Sequence, residues 1–278
     1  MRARMVEAAG AELGEAPLWD TRHGRLVWVD ITAGLVHLLG GPTYRVGGHV
    51  SAALPAAGGG WLLATREGFS TLAEDGTVTP LLTVPGDGMR FNDAKCDPDG
   101  RAWAGTMAYD QTPGAATLYR LDPGPIATPV LPGLTISNGL GWSPDGRTMW
   151  FVDSLTQRIT GYAYADGVLG PISAVVAIEP EYGMPDGLCV DVDGCVWVGL
   201  WGGGAVHRYT PGGRLDTVVR VPASQVTSCA FGGSTLYITT ATYQMDAAAL
   251  EREPLAGGLF TVETSTHGPA ATPWKGLS

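Results

Sequence analysis

The sequence predicts an all-β fold, a closed six-bladed β-propeller, on three observations. One short phrase recurs six times: an anchor residue, an apolar run, a Gly-bearing turn, and a second run that opens on an aromatic. The fullest copy runs from Asn138 through Gly139-Leu140-Gly141-Trp142 and the turn Ser143-Pro144-Asp145-Gly146 to Trp150. Its spacing is the second observation. The anchors Glu15, Val50, Asn92, Asn138, Asp186 and Thr227 are separated by steps of 35, 42, 46, 48 and 41 residues. A four-stranded propeller blade takes about 40–45 residues. Third, Gly 41 and Pro 20 suit a chain of many tight turns, and no long stretch carries helical periodicity.

The elements follow in order. Residues 3–8 read as a lone strand ahead of the first anchor, and residues 258–263 as another near the end. A propeller closes by sharing strands between its termini, which leaves no free sheet edge. Blade one, about residues 12–44, places Glu15 just before a proline and passes His23-Gly24 to Trp28. Blade two, about 45–84, has the apolar Val50 at its anchor, three glycines in its turn before Trp61, and a possible polar rim at Thr65-Arg66-Glu67. In blade three Arg90 stands two residues before Asn92, so period-2 alternation points both side chains to one side. Its turn Asp97-Pro98-Asp99-Gly100 leads to Trp103, and the loop from Tyr109 to Gly114 is polar enough to be a lid. Blade four carries Asn138 and ends its second strand on Asp153. Blade five opens on Pro185-Asp186-Gly187 and turns at Asp191-Val192-Asp193-Gly194 to Trp197. Blade six, from about 221, carries Thr227 and closes on Tyr237, with one or two helical turns expected over Asp246–Arg252. If the blades are equivalent, the six anchors ring one mouth of the central channel. Four of them bear carboxylate or amide oxygens.

Composition narrows the class. All-β closed folds of 278 residues form one domain, and the repeat assigns residues 1–278 to it. Hydrophobic content of 45% beside charged content of 16% means a large core. A net charge of −10, without any Lys/Arg cluster, argues against nucleic-acid binding. The N-terminus lacks a signal-peptide core, and no run of about 18 apolar residues offers a membrane span. The cytoplasm is the expected compartment, and no protein partner is implied. Of Cys96, Cys189, Cys195 and Cys229, three fall in strands that follow an anchor and read as buried thiols. Only Cys189 and Cys195 could face each other across one hairpin.

Seven segments, in order, carry a resemblance: Leu13-Gly14-Glu15-Ala16-Pro17, Arg90-Phe91-Asn92-Asp93-Ala94-Lys95, Gly105-Thr106-Met107, Ile136-Ser137-Asn138-Gly139-Leu140, Pro185-Asp186-Gly187, Thr227-Ser228-Cys229-Ala230-Phe231-Gly232-Gly233 and Ala256-Gly257-Gly258-Leu259-Phe260. Together they resemble the senescence-marker-protein/gluconolactonase/regucalcin family of six-bladed propellers. The resemblance implies a divalent metal in the channel held by Glu15, Asn138 and Asp186, substrate contacts from Arg90 and Asn92, and hydrolysis of sugar lactones with Asp186 also serving as acid/base. Animal members carry a substrate-holding Glu in the loop after the Gly-Thr-Met strand. Here the loop at 109–117 is shorter and offers only Asp110 and Gln111.

The implied ligands supply only oxygen, which suits a hard cation such as Ca²⁺. Mg²⁺, Mn²⁺, Zn²⁺ and Fe²⁺ also fit, since oxygen sites discriminate weakly by ligand type. None of the five histidines stands at an anchor, which disfavours a nitrogen-rich zinc site. No Gly-x-Ser-x-Gly elbow is present, so covalent catalysis is disfavoured. Tyr109, Trp201 and Tyr243 could wall a pocket, and Asp153 could support the ligands. The expected activity is a metal-dependent lactonase acting on a small sugar lactone. The alternatives are ester or organophosphate hydrolysis at the same metal, or a calcium-binding propeller without turnover.

Overall fold

The computed structural model describes residues 1–122 and 125–276. They form six four-stranded antiparallel sheets. The innermost strands are Gly14–Asp20, Val50–Pro55, Met89–Cys96, Ser137–Trp142, Met184–Val190 and Val226–Gly232, one per blade in chain order. Each contacts its neighbours around the ring, and Val226–Gly232 meets Gly14–Asp20 to close it. Their near-unbroken burial explains why they read as apolar runs rather than alternating ones: both faces of a central strand are covered.

Closure uses the termini as expected. Arg4–Glu7 is the outermost strand of blade six and pairs with Leu259–Glu263, Met5 lying opposite Phe260. The N-terminus also ties blade six to blade five, since the Ala3 amide donates to the Arg220 carbonyl at 2.9 Å and the Arg220 amide to Met1 at 3.0 Å. The C-terminal tail crosses beneath the turns, Trp274 exchanging backbone hydrogen bonds of 2.8 Å with Pro55 and Ala57. The expected short helix is Ala247–Arg252, capped by Asp246, whose side chain accepts from the Ala249 amide at 2.8 Å.

The turn aspartates organise the far end of two blades. Asp97 accepts from the Asp99 and Arg101 amides through one oxygen and from the Trp103 indole through the other, at 3.1 Å. Asp191 repeats this with the Asp193 and Cys195 amides and the Trp197 indole at 2.8 Å. Blade four has Ser143 at this place, and the Trp150 indole N–H has no partner.

The inner strands hold the feature that matters for the site. In every blade the pairing of first and second strand slips at the anchor, between Glu15 and Leu18, Val50 and Ala52, Phe91 and Asp93, Ser137 and Leu140, Pro185 and Leu188, and Val226 and Ser228. Such irregularities re-aim side chains. Register also corrects the repeat in two blades. Trp103, Trp150, Trp197 and Tyr237 lie opposite Lys95, Gly141, Cys189 and Ala230, each three residues past its anchor. The slip places Ser51, not Val50, on the ring in blade two: Ser51 is skipped between Val50 and Ala52 as Asn92 is between Phe91 and Asp93 and Thr227 between Val226 and Ser228, and Val50 is core. In blade one it is Ala16, which opens the skipped pair between Glu15 and Leu18 as Asn138 does between Ser137 and Leu140 and Asp186 between Pro185 and Leu188; Trp28 stacks on His37 at 4.2 Å between ring centres. Glu15 reaches the channel from one position earlier, next to Ala16 at φ 45°.

Removing residues 1–7 deletes the outer strand of blade six and opens an edge. We expect a lower Tm and concentration-dependent association, read by calorimetry and light scattering. An unchanged monomer of unchanged Tm would mean that the terminal strand is not the closing element.

Candidate active site at the anchor mouth

Glycines next to the anchors let the blades converge. A Cβ on Gly139 would lie 2.5 Å from the Asp186 carbonyl oxygen, and one on Gly187 2.1 Å from Ser228 Oγ. Only glycine permits that approach. The loops entering the anchor strands are held from below by strand-end carboxylates. Asp153 accepts from the Thr135 and Ile136 amides at 3.2 and 2.9 Å, just ahead of Asn138. Asp30 accepts from the Glu12 and Leu13 amides at 2.9 and 3.2 Å, just ahead of Glu15. Asp153 therefore positions backbone.

The structure brings Glu15, Arg90, Asn92, Asn138 and Asp186 together, all buried. Arg90 and Asn92 share a side as period-2 spacing requires: Arg90 Nη1 donates to Asn92 Oδ1 at 2.8 Å and to the Phe91 carbonyl at 2.9 Å. Asn92 Nδ2 donates in turn to the Ser137 carbonyl at 3.0 Å, linking blades three and four. Asn138 Nδ2 donates to Ser154 Oγ at 3.1 Å, which turns Asn138 Oδ1 the other way. That oxygen is buried and without a hydrogen-bond partner, as is Asp186 Oδ1. Asp153 was expected as a strand end that could support the ligands, whereas the role of Ser154 in orienting Asn138 carries no sequence signal.

The electrostatics single out a residue that sequence reasoning passed over. Burial, then the charges of Asp186 and Asp93, hold the Glu15 carboxyl well above its ordinary value, against the Ala16 amide and Arg90. Burial and Asp93 do the same for Asp186, opposed by Asn138, the Gly187 amide and Arg90. Asp93 is itself pushed up to about 6 by burial, with Lys95 pulling the other way, and its Oδ2 has no partner. Three desolvated carboxylates thus lie together, with Arg90 opposing the shifts of Glu15 and Asp186 and Lys95 that of Asp93. Asp93 was hidden because it follows the anchor by one, where simple alternation turns a side chain away. Among the described residues no three His, Cys, Asp or Glu side chains could hold a metal ion by themselves, so an ion here would depend on the Asn138 amide oxygen as well.

The rim comes from blades two, three and six. The Tyr109 hydroxyl meets His49 Nδ1 at 2.8 Å, and the Arg66 guanidinium lies 5.9 Å from the Tyr109 ring centre. Both Tyr109 and Tyr243 lie close enough to raise the Arg90 pKa against the lowering by burial. Trp201 and Tyr243 are each partly buried against the same apolar cluster that Ala16 packs on. Asp110 is engaged locally, accepting from the Thr112 amide and hydroxyl at 3.0 and 2.8 Å.

A six-bladed propeller with an acidic, oxygen-lined mouth defines the structural class. Residues 13–242 match the model of the SMP-30/gluconolactonase/LRE-like region, and the chain belongs to that family. It is 36% identical over 282 residues to the Bacillus subtilis (strain 168) protein provisionally named sugar lactone lactonase YvrE, covering 96% of both chains. It is 37% identical over 267 residues to regucalcin of Danio rerio, covering 90% of both. Among solved structures, a calcium-binding regucalcin from Agrobacterium tumefaciens superposes with a TM-score of 0.93 at 26% identity, over 98% of this chain and 97% of that one.

The raised carboxyls set a pH dependence. A carboxyl whose folded value exceeds its unfolded one binds more protons folded than unfolded between those two values, so stability falls as pH rises through that window. The chelator-treated protein should therefore lose Tm as pH rises from about 4 towards neutrality. Glu15→Gln and Asp186→Asn should each raise the chelated Tm at neutral pH while abolishing any stabilisation by added divalent cation. A fall in chelated Tm for both variants would overturn the assignment of mutual repulsion.

Proposed function

We propose that this chain is a divalent-cation-dependent hydrolase of small sugar lactones, acting at the anchor mouth. The observation that carries the reading is the pair of buried, unpartnered oxygens, Asn138 Oδ1 and Asp186 Oδ1, beside the buried Glu15 carboxyl. A buried polar atom without a partner costs roughly 1–3 kcal/mol. Two of them next to mutually repelling carboxylates suit a hard cation, and Glu15, Asn138 and Asp186 would hold it. When bound, the cation supplies Lewis acidity toward a lactone carbonyl and offsets negative charge as water adds.

The chain's own residues do the rest. Asp186, its carboxyl held well above its ordinary proton affinity by burial and by Asp93, takes the proton of the attacking water and returns it to the ring oxygen as the ester bond opens. Arg90, pinned by Phe91 and Asn92, presents its remaining N–H groups to the carbonyl or hydroxyls of the sugar. Asn92, with Oδ1 and Nδ2 both engaged, holds Arg90 in place and contributes to the substrate wall. Tyr109 and Tyr243 stand close to Arg90 at this mouth. The word calcium-binding in the name of the Agrobacterium structure favours one second reading, a cation-binding propeller without turnover.

A pH-indicator assay with gluconolactone separates the two. We expect turnover above spontaneous opening, loss on exhaustive chelation, and recovery in an add-back series of Ca²⁺, Mg²⁺, Mn²⁺, Zn²⁺ and Fe²⁺. Turnover that survives chelation would sink the cation-dependent mechanism. Tight cation binding with no turnover on any aldonolactone would select the second reading.

Arg90→Ala should retain cation binding by calorimetric titration yet lower kcat/KM by about 1–3 kcal/mol, the scale of a lost charge-assisted hydrogen bond. Asn138→Ala should weaken the cation first and activity as its consequence. An Arg90→Ala protein that no longer binds cation, or that stays fully active, would make Arg90 a structural rim residue.

A further inference from the structure

The opposite mouth of the channel, where the turns lie, carries thiol chemistry unconnected with lactone hydrolysis. A cavity of about 210 Å³ opens there, bounded by Leu18, Trp19, Lys95, Trp142, Cys189 and Phe231 and roofed by the C-terminal tail. Cys189 faces it half-buried. Behind Cys189, and fully buried, lies Cys229 of the adjacent blade, with the two sulfurs 3.7 Å apart. This corrects the expectation that Cys189 could face Cys195: Cys189 pairs across its own hairpin with Trp197, and its thiol neighbour comes from the next inner strand. The close approach has a cause in the sequence. Gly187, two residues before Cys189, leaves no room for a Cβ beside Ser228, so the strands Met184–Val190 and Val226–Gly232 run close together at this point.

We propose that Cys189 and Cys229 form a vicinal dithiol open to low-molecular-weight disulfides through the cavity, with Cys189 the attacking and Cys229 the resolving residue. In the first step the Cys189 thiolate attacks one sulfur of a small disulfide RSSR. A Cys189–SR bond forms, the S–S bond breaks, and one RS⁻ leaves and takes up a proton. In the second, Cys229 loses its proton and its sulfur attacks Cys189 Sγ, expelling the second RSH. The balance is one dithiol plus RSSR giving one disulfide plus two RSH. Two electrons pass from the protein to the reagent. Sulfurs 3.7 Å apart must close to about 2.05 Å, a movement that side-chain rotation and a small strand shift supply. The asymmetry of exposure assigns the order: the reagent reaches Cys189 from the cavity, whereas Cys229 is 0% exposed. The product would staple blade five to blade six.

The test uses bis(2-hydroxyethyl) disulfide on the full chain, followed by acid quench, thiol counting in denaturant and peptide mapping. In the wild type the four free thiols should fall to two, with a Cys189–Cys229 cross-linked peptide, no retained mercaptoethanol, and full reversal by dithiothreitol. Cys229→Ala should stop at a single mercaptoethanol adduct on Cys189, and Cys189→Ala should keep all three of its thiols. The proposal fails if the wild type keeps four thiols, if it accumulates an unresolved Cys189 adduct, or if the loss falls on Cys96 or Cys195. The wild-type map decides the pairing even if a variant folds poorly.

Discussion

Everything distinctive about this molecule depends on how near the six inner strands can come to the channel axis. Gly139 and Gly187 follow two of the anchors directly, and a side chain at either would collide with the next blade. Gly105, on the second strand of blade three, faces Ser137 with an ideal Cβ only 1.7 Å from its Oγ. At the anchor level one blade's glycine backbone therefore packs directly on the backbone or the small serine side chain of the next. That draws side chains from residues as distant in sequence as Glu15 and Asp186 into one desolvated volume. Larger residues at these positions would widen the ring and let water between the carboxylates.

Convergence carries an electrostatic cost that the fold does not relieve by itself. Burial raises the proton affinity of all three carboxyls, Asp93 adds to it at Glu15 and Asp186, Asp186 adds to it at Glu15, and Arg90 compensates those two only in part. Natural cores avoid such clusters unless the site is used. The surrounding architecture is correspondingly stiff. Asp30 and Asp153 hold the incoming loops, and Ser154 turns the Asn138 amide so that its oxygen faces away from the protein's own donors. The far mouth is built on a different principle. There Asp97 and Asp191 accept from backbone amides, indoles and the guanidinium groups of Arg101 and Arg208, and the cavity under the C-terminal tail is lined mainly by apolar groups and thiols.

Much of this was legible in the chain. The repeat of anchor, apolar run and Gly-bearing turn specified six blades, because each blade solves the same local problem of turning tightly and burying a two-faced strand. The shared strand of blade six followed from the unpaired segments at the two ends, and Arg90 beside Asn92 followed from strand periodicity. Tertiary structure decided the rest. Whether the ring residue is Val50 or Ser51, or whether Glu15 sits at or one before its bulge, depends on a one-residue slip in pairing, which local patterns do not encode. Asp93 joins the acidic group because the bulge at Asn92 undoes simple alternation. Cys189 meets Cys229 because blade-to-blade contact, unlike hairpin contact, links residues some 40 apart. A strand's own sequence determines which of its residues are buried; which neighbours they are buried against is a property of the closed ring.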